Sequence, residues 1–148
     1  KVYMSLWNSA FQRLLAKAPA SYQARLIRAE ALEAQERFAE ATKEYREILK
    51  TAPQGSGIHY RLGRMILRSE SSPDADQKAL AEFQRELELN PAEVRALTEI
   101  GEIHLSRNRL EEAAGSFQRA VSLQPGYVPA KVGLAKVLIA EKQWSNAL

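Results

Sequence analysis

Few side chains in this sequence are equipped for catalysis. It holds two histidines, His59 and His104, and no cysteine. A thiol nucleophile, a disulfide and a cysteine-type zinc site are therefore excluded. A metal bound through the histidines would need carboxylates in register with them, and none stands at such a spacing. Gly55-Ser56-Gly57 lacks the lysine and hydroxyl spacing of a phosphate-binding loop. No serine and aspartate form an evident triad with either histidine. Both histidines fall in apolar slots of the pattern described below, where packing is their expected role. The expectation is a chain with no catalytic residue, no cofactor and no metal site, and so not an enzyme.

The charged side chains point to binding instead. Lys and Arg number 21 and Asp and Glu 18, a net charge of +3 in 148 residues. The signs alternate closely, as in Arg37-Phe38-Ala39-Glu40 and Lys43-Glu44-Tyr45-Arg46-Glu47. That is the pattern of a solvated helical surface with opposite charges one turn apart. A dedicated nucleic-acid binder clusters its cations on one face instead. Apolar residues make up 45% of the chain, enough to build a core. The densest apolar run, Val137-Leu138-Ile139-Ala140, is far too short to cross a membrane, so no insertion is expected. The composition assigns no compartment.

The elements that position these charges are repeated. Pro19, Pro53, Pro91 and Pro125 are separated by 34, 38 and 34 residues, and so are Phe11, Tyr45, Phe83 and Phe117. Ala29, Gly63, Gly101 and Ala135 keep the same spacings, while Ala41, Ala79, Ala113 and Ala147 give 38, 34 and 34. The odd value is traced to four extra residues between Ile66 and Ala79, a polar stretch that includes Ser71-Ser72-Pro73-Asp74. A fixed period of this length indicates stacked supersecondary units. Small residues let two helices approach closely, aromatics fill the gap to the next pair, and each proline bars helix from the residue before it.

This register resembles the tetratricopeptide repeat, a helix-turn-helix unit. The best copy is Leu97, Ile100, Gly101, His104, Ala113, Phe117, Ala120 and Pro125. It departs from the family at Leu97, where Trp is favoured, and at His104, where Tyr is favoured. In the weakest copy, over about 22–55, Arg28 replaces a Leu and Ile48 an Ala. The resemblance implies an all-α fold, a right-handed α-solenoid of antiparallel helix pairs. The whole chain, 1–148, then reads as one array: a second-helix half repeat over 1–21, complete repeats over 22–55, 56–93 and 94–127, and a partial repeat over 128–148. Helices are expected at 2–17, 21–35, 38–51, 56–69, 73–89, 92–106, 110–123 and 126–141, with another beginning near 144. No segment alternates with the period of a strand. Ser72 is the expected N-cap of the fifth helix, with Pro73 first in that helix, so that the insertion lengthens it by about a turn. A longer loop is the alternative. Tyr3, Trp7 and Phe11 at one end, and Trp144, Ala147 and Leu148 at the other, read as faces awaiting a neighbour. The expectation is a piece of a longer array, able to self-associate through those faces.

The resemblance also implies a concave groove lined by the first helix of each pair. Its rows by register are Glu30, Arg64, Glu102 and Lys136; Ile27, Arg61, Glu99 and Gly133; Leu26, Tyr60, Thr98 and Val132; and Ala34, Arg68, Ser106 and Ala140. The first row alternates in sign, so Glu30 with Arg64, Arg64 with Glu102, and Glu102 with Lys136 are expected to pair. Arg61 has Glu99 beside it, and Arg68 has no partner in its row. Tyr60, Arg61, Arg64, Arg68, Glu99 and Glu102 are thus the candidate partner-binding residues, with the arginines and the Tyr60 ring gripping an acidic side chain or terminal carboxylate. The family's carboxylate clamp for chaperone tails is not expected. Leu26 and Glu30 occupy its first-repeat slots, Arg61 stands where Asn is wanted, and of the third-repeat slots Arg95 fits while Glu99 does not. The implied function is a non-catalytic scaffold binding a peptide or partner protein. The other readings are a helical-repeat nucleic-acid binder, opposed by Glu30, Glu99 and Glu102 on the same surface, and a structural segment of a larger protein.

Overall fold

A computed structural model of the chain describes residues 9–10, 12–13, 16–18 and 20–147, with side chains up to residue 142 in the last helix. The described residues hold seven helices and no strand: α1 (Tyr22–Ala34), α2 (Phe38–Thr51), α3 (Ile58–Ser69), α4 (Ala75–Leu89), α5 (Val94–Ser106), α6 (Leu110–Leu123) and α7 (Val128–Ala147). Residues 9–10, 12–13 and 16–17 are also helical; the rest of the helix expected over 2–17, with Tyr3, Trp7 and Phe11, lies outside the described residues, as do Leu148 and the side chains of Trp144 and Ala147. Helices pack on their neighbours in sequence, and α5 also touches α7. Pairs α1–α2, α3–α4 and α5–α6 are the helical hairpins of the repeat, and the all-α solenoid is as expected.

The helix ends follow the prolines. Thr51, Leu89 and Leu123 are the last helical residues, and Ala52, Asn90 and Gln124 leave helical geometry with ψ of 72°, 86° and 88°. Each precedes a proline, whose Cδ crowds the helical conformation of the residue before it. The prolines themselves lie in turns, and the next helices start at Ile58, Val94 and Val128 rather than at the expected 56, 92 and 126.

The hairpin turns come in two kinds. In the first and third repeats three residues join the helices, and Glu36 and Asn108 take left-handed backbone at φ of 58° and 57°. The N–H groups of Arg37 and Arg109 then reach back to the carbonyls of Leu32 and His104, at 2.9 and 2.8 Å. In the second repeat five residues, 70–74, join the helices. Here α4 begins at Ala75, with Asp74 rather than Ser72 at the cap and no side-chain capping bond. Ser72 contributes its carbonyl, which accepts from the Ala75 N–H at 3.0 Å. α4 has 15 residues against 14 in α2 and in α6, and the loop has five residues against three, so the extra residues are shared between the loop and the helix ends and add no further turn of helix. α7 departs from expectation too, running unbroken through Ala147. Glu141, Lys142 and Gln143 stand where the other repeats turn, and all three are good helix formers.

The core is built as the spacing requires. Tyr45, Phe83 and Phe117 are fully buried, as are Ala29, Ala41, Ala79 and Ala113. A methyl group on Gly63 would lie 2.6 Å from Cε1 of Phe83, and one on Gly101 would lie 2.6 Å from Cε1 of Phe117. Gly133, a groove position by register, also lies against Phe117, whose ring a methyl group at that position would overlap. It therefore serves packing. The buried side chains form two clusters that divide at α5. Ala96, Ile100 and Ile103 join the cluster of α1–α4, whereas Val94 and Leu97 join that of α6 and α7. α5 thereby fixes the two halves of the groove relative to each other.

Candidate partner-binding groove

α3 and α5 carry the candidate site. The start of α3 is held unusually. Gly57, its N-cap residue, sits at φ 76° and offers no side chain. The cap comes from α4 instead: Glu86, fully buried, accepts from the N–H of Gly57 at 2.9 Å and of Tyr60 at 3.3 Å. A carboxylate at this end also meets the positive pole of the helix. One turn earlier on α4, Glu82 lies 2.6 Å from Nδ1 of the buried His59. His59 is therefore a hydrogen-bonding and packing residue at the base of the site. His104 packs in α5 with Nδ1 buried and unpartnered, and burial pushes its pKa down. Among the described residues no three His, Asp or Glu side chains are grouped to hold a metal ion.

The charges facing the groove pair differently from the expected rows. Arg61 reaches back to the first repeat, with Nη2 3.0 Å from Glu30 and Nη1 3.1 Å from Glu33. The Tyr45 hydroxyl donates to the same Glu33 at 3.0 Å. Burial, with Glu33 beside it, holds that phenol well above its ordinary pKa. Arg64 pairs with Glu99 at 3.7 Å, not with Glu30 or Glu102. The pair of Glu102 with Lys136, at 2.8 Å, forms as expected. Arg61 and Arg64 thus each reach a carboxylate outside their own row, whereas Lys136 stays within its row.

Tyr60 was expected to offer an open ring, and the structure covers it. The residue is 8% exposed. The guanidinium of Arg95 lies 4.6 Å from its ring centroid and that of Arg64 5.9 Å, both within cation–π range. Arg95 is fixed by Glu93, which accepts from its Nε at 2.8 Å and its Nη2 at 2.7 Å. The arginine holds the Glu93 carboxyl below its usual range, whereas burial pushes Glu99 up despite Arg64. Arg68 is exposed and has no ion pair among the described residues; its guanidinium lies 4.1 Å over the ring of Phe38. Of the candidates, Tyr60, Arg64 and Glu99 thus meet in one cluster, Arg61 belongs to a second with Glu30, Glu33 and Tyr45, and Glu102 and Arg68 stand apart.

The register missed Glu33, Glu93, Glu86 and Phe38. Glu33 carried a signal, being one turn from Glu30 on the same helix face. Glu86 carried one as well, as an acid in the slot held by Ile48 and Ala120 in the other repeats. Phe38 and Glu93 lie at helix starts, outside the rows.

Repeated helical hairpins stacked side by side, with polar side chains along one face and small residues in the seams, define an α-solenoid scaffold. The family profile described as Tetratricopeptide repeat matches residues 8–56 and 77–128, and the chain belongs to that family. Among solved structures it is similar to the Arabidopsis OM64 TPR domain, with TM-score 0.73 and 19% identity over 80% of this chain and 95% of that one. It is similar to the MamA protein, with TM-score 0.74 and 18% identity over 94% and 74% of the two chains. The first TPR of Spaghetti (RPAP3), bound to the HSP90 peptide SRMEEVD, gives TM-score 0.72 and 19% identity over 82% and 96%. A curated relative in Hordeum vulgare, a probable UDP-N-acetylglucosamine--peptide N-acetylglucosaminyltransferase SPINDLY, is 32% identical over 108 residues, 72% of this chain. Its counterpart in Arabidopsis thaliana is 32% identical over 107 residues. The match spans 11% of the length of each of these relatives.

Proposed function

We propose that this chain is a non-catalytic scaffold that holds a peptide segment of a partner protein along the face of α1, α3, α5 and α7. The observation that supports this reading is that Arg61, Arg64 and Arg68 of α3 and Glu99 and Glu102 of α5 keep their side chains at least partly exposed on helices that are otherwise packed into a buried core. Its support from outside the chain is the RPAP3 domain of the same fold, which carries a chaperone peptide. The partner differs from a chaperone tail, because the clamp slots hold Leu26, Glu30, Arg61 and Glu99. Arg95, the one fitting residue, already has its donors committed to Glu93.

The test is selection of peptides from a phage-displayed library on the intact chain, followed by titration of a selected peptide against Arg64→Ala and Glu102→Ala variants. Affinity losses of about ten-fold, or about 1.4 kcal/mol, are expected for at least one of them. The reading fails if no peptide is enriched, or if enriched peptides bind both variants unchanged while circular dichroism reports an intact fold.

A further inference from the structure

The groove contains five cations by register or contact: Arg61, Arg64, Arg68, Arg95 and Lys136. Four have a carboxylate of their own. Arg61 is held by Glu30 and Glu33, Arg64 by Glu99, Arg95 by Glu93 and Lys136 by Glu102. Arg68 alone of the five has no carboxylate among the described residues, and its guanidinium lies 4.1 Å over the ring of Phe38. A guanidinium stacked on an aromatic face keeps its edge free, and the edge carries the N–H fork that fits a carboxylate. Stacking also restricts the side chain beforehand, which lowers the entropy cost of binding. Arg68 itself is exposed, and the equivalent positions in the adjoining repeats, Ala34 and Ser106, are both small.

We propose that the Arg68–Phe38 pair is the anchor for a single carboxylate of the bound segment, and that the rest of the groove selects against a polyacidic one. The second half follows from the same pairing. A segment with one acidic group meets one unengaged guanidinium. A segment with many must displace Glu30, Glu33, Glu93, Glu99 or Glu102 from its cation or lie against them, and like charges at close range are unfavourable. The required chemistry is one carboxylate, from an Asp or Glu side chain or from a chain terminus. This inference rests on the groove reading above and narrows it.

Three synthetic decapeptide pools test it, all randomised over uncharged residues with acetylated N-termini. The first has one fixed Glu and an amidated C-terminus, the second no acidic residue and a free C-terminal carboxylate, and the third five Glu and an amidated C-terminus. Each is passed over the immobilised full chain and its Arg68→Ala and Arg68→Lys variants, and retention is quantified by mass spectrometry. The expected result is retention of the first or second pool by the native chain about five-fold above Arg68→Ala. Arg68→Lys, which keeps the charge and loses the planar fork, is expected to fall between. The pool that responds identifies the source of the carboxylate, and the third pool is expected to be held no better than the first. Equal retention by Arg68→Ala, or stronger retention of the third pool, overturns this proposal and leaves the groove reading standing. Retention of no pool by any chain overturns both.

Discussion

The carboxylate of Glu86 in α4 accepts from the N–H of Gly57 at 2.9 Å, and so caps a helix to which it does not belong. With Tyr60 N–H as its second donor, at 3.3 Å, it fixes the first turn of α3, the helix that presents Tyr60, Arg61, Arg64 and Arg68. Replacing Glu86 by Ala deletes both bonds and leaves two backbone donors unpaired, that of Tyr60 buried and that of Gly57 partly so. A loss of about 2–3 kcal/mol is expected from such unsatisfied groups. Glu86→Gln keeps an acceptor and is expected to cost about 1 kcal/mol. Urea unfolding followed by circular dichroism measures both. An Ala variant as stable as the native chain would show that the cap adds nothing.

Two glycines with the same sequence appearance are expected to behave oppositely. A Cβ on Gly101 would sit 2.6 Å from the Phe117 ring, which is itself fully buried. The ring is rigid and Gly133 lies against it too, so Gly101→Ala should cost about 1–3 kcal/mol through overpacking. Gly115 lies within α6 with nothing within 4 Å of its would-be Cβ. Gly115→Ala removes only the backbone freedom that glycine brings to a helix, and should stabilise by about 0.5–1 kcal/mol. Thermal unfolding of the two variants in parallel should show midpoints moving in opposite directions.

That contrast also explains which parts of the structure were legible in the sequence. Gly101 belongs to a slot repeated at Ala29, Gly63 and Ala135, and a repeated small residue reports a close helix approach wherever it occurs. Tyr45, Phe83 and Phe117 were legible for the same reason, as one shape requirement met in every repeat. The groove pairs were legible only in part: Glu102 meets Lys136 within its row, but Arg61 reaches Glu30 and Glu33, and Arg64 reaches Glu99, because equivalence by register does not set which way a long side chain extends. In the second repeat the expected helix start is displaced. Ser72 and Pro73 are common at helix starts, yet Ser72 satisfies the chain through its carbonyl and α4 starts at Ala75.

The two groove glutamates are expected to titrate on opposite sides of an ordinary carboxyl. Arg95 hydrogen-bonds to Glu93 and favours its ionised form, so its folded pKa is depressed. Its contribution to stability is present above the unfolded glutamate pKa and is lost as pH falls through the folded value. Burial disfavours the ionised form of Glu99, and its folded pKa is raised. Its contribution is present below the unfolded pKa and is lost as pH rises through the folded value. Carboxyl 13C NMR over an acid titration should therefore show Glu99 protonating before Glu93 as pH falls. Glu99→Gln is expected to abolish the higher transition and to leave neutral-pH stability unchanged or slightly raised. A midpoint for Glu99 at or below that of Glu93 would contradict the assignment.

Arg61 and Arg68 occupy the same helix but are expected to differ in what their loss does to the fold. Arg61 bridges two repeats, holding Glu30 and Glu33 of α1 and lying 3.4 Å from the Tyr45 hydroxyl. Truncating it leaves the partly buried Glu33 without its cation, and Arg61→Ala should destabilise by about 1 kcal/mol, near the upper end for partly exposed pairs. Arg68 is exposed and holds no carboxylate among the described residues, and its stacking on Phe38 is worth about 0.5–1 kcal/mol at such a site. Phe38 stays packed against the core without it, so the net cost of Arg68→Ala should be at most about 0.5 kcal/mol. Parallel urea titrations check the difference. A double-mutant cycle of Arg61→Ala with Glu33→Ala should show positive coupling, whereas Arg68→Ala combined with either should be additive. If Arg68→Ala proved the more destabilising, the residue would be part of the framework, and any loss of peptide binding in that variant would reflect the fold rather than a contact.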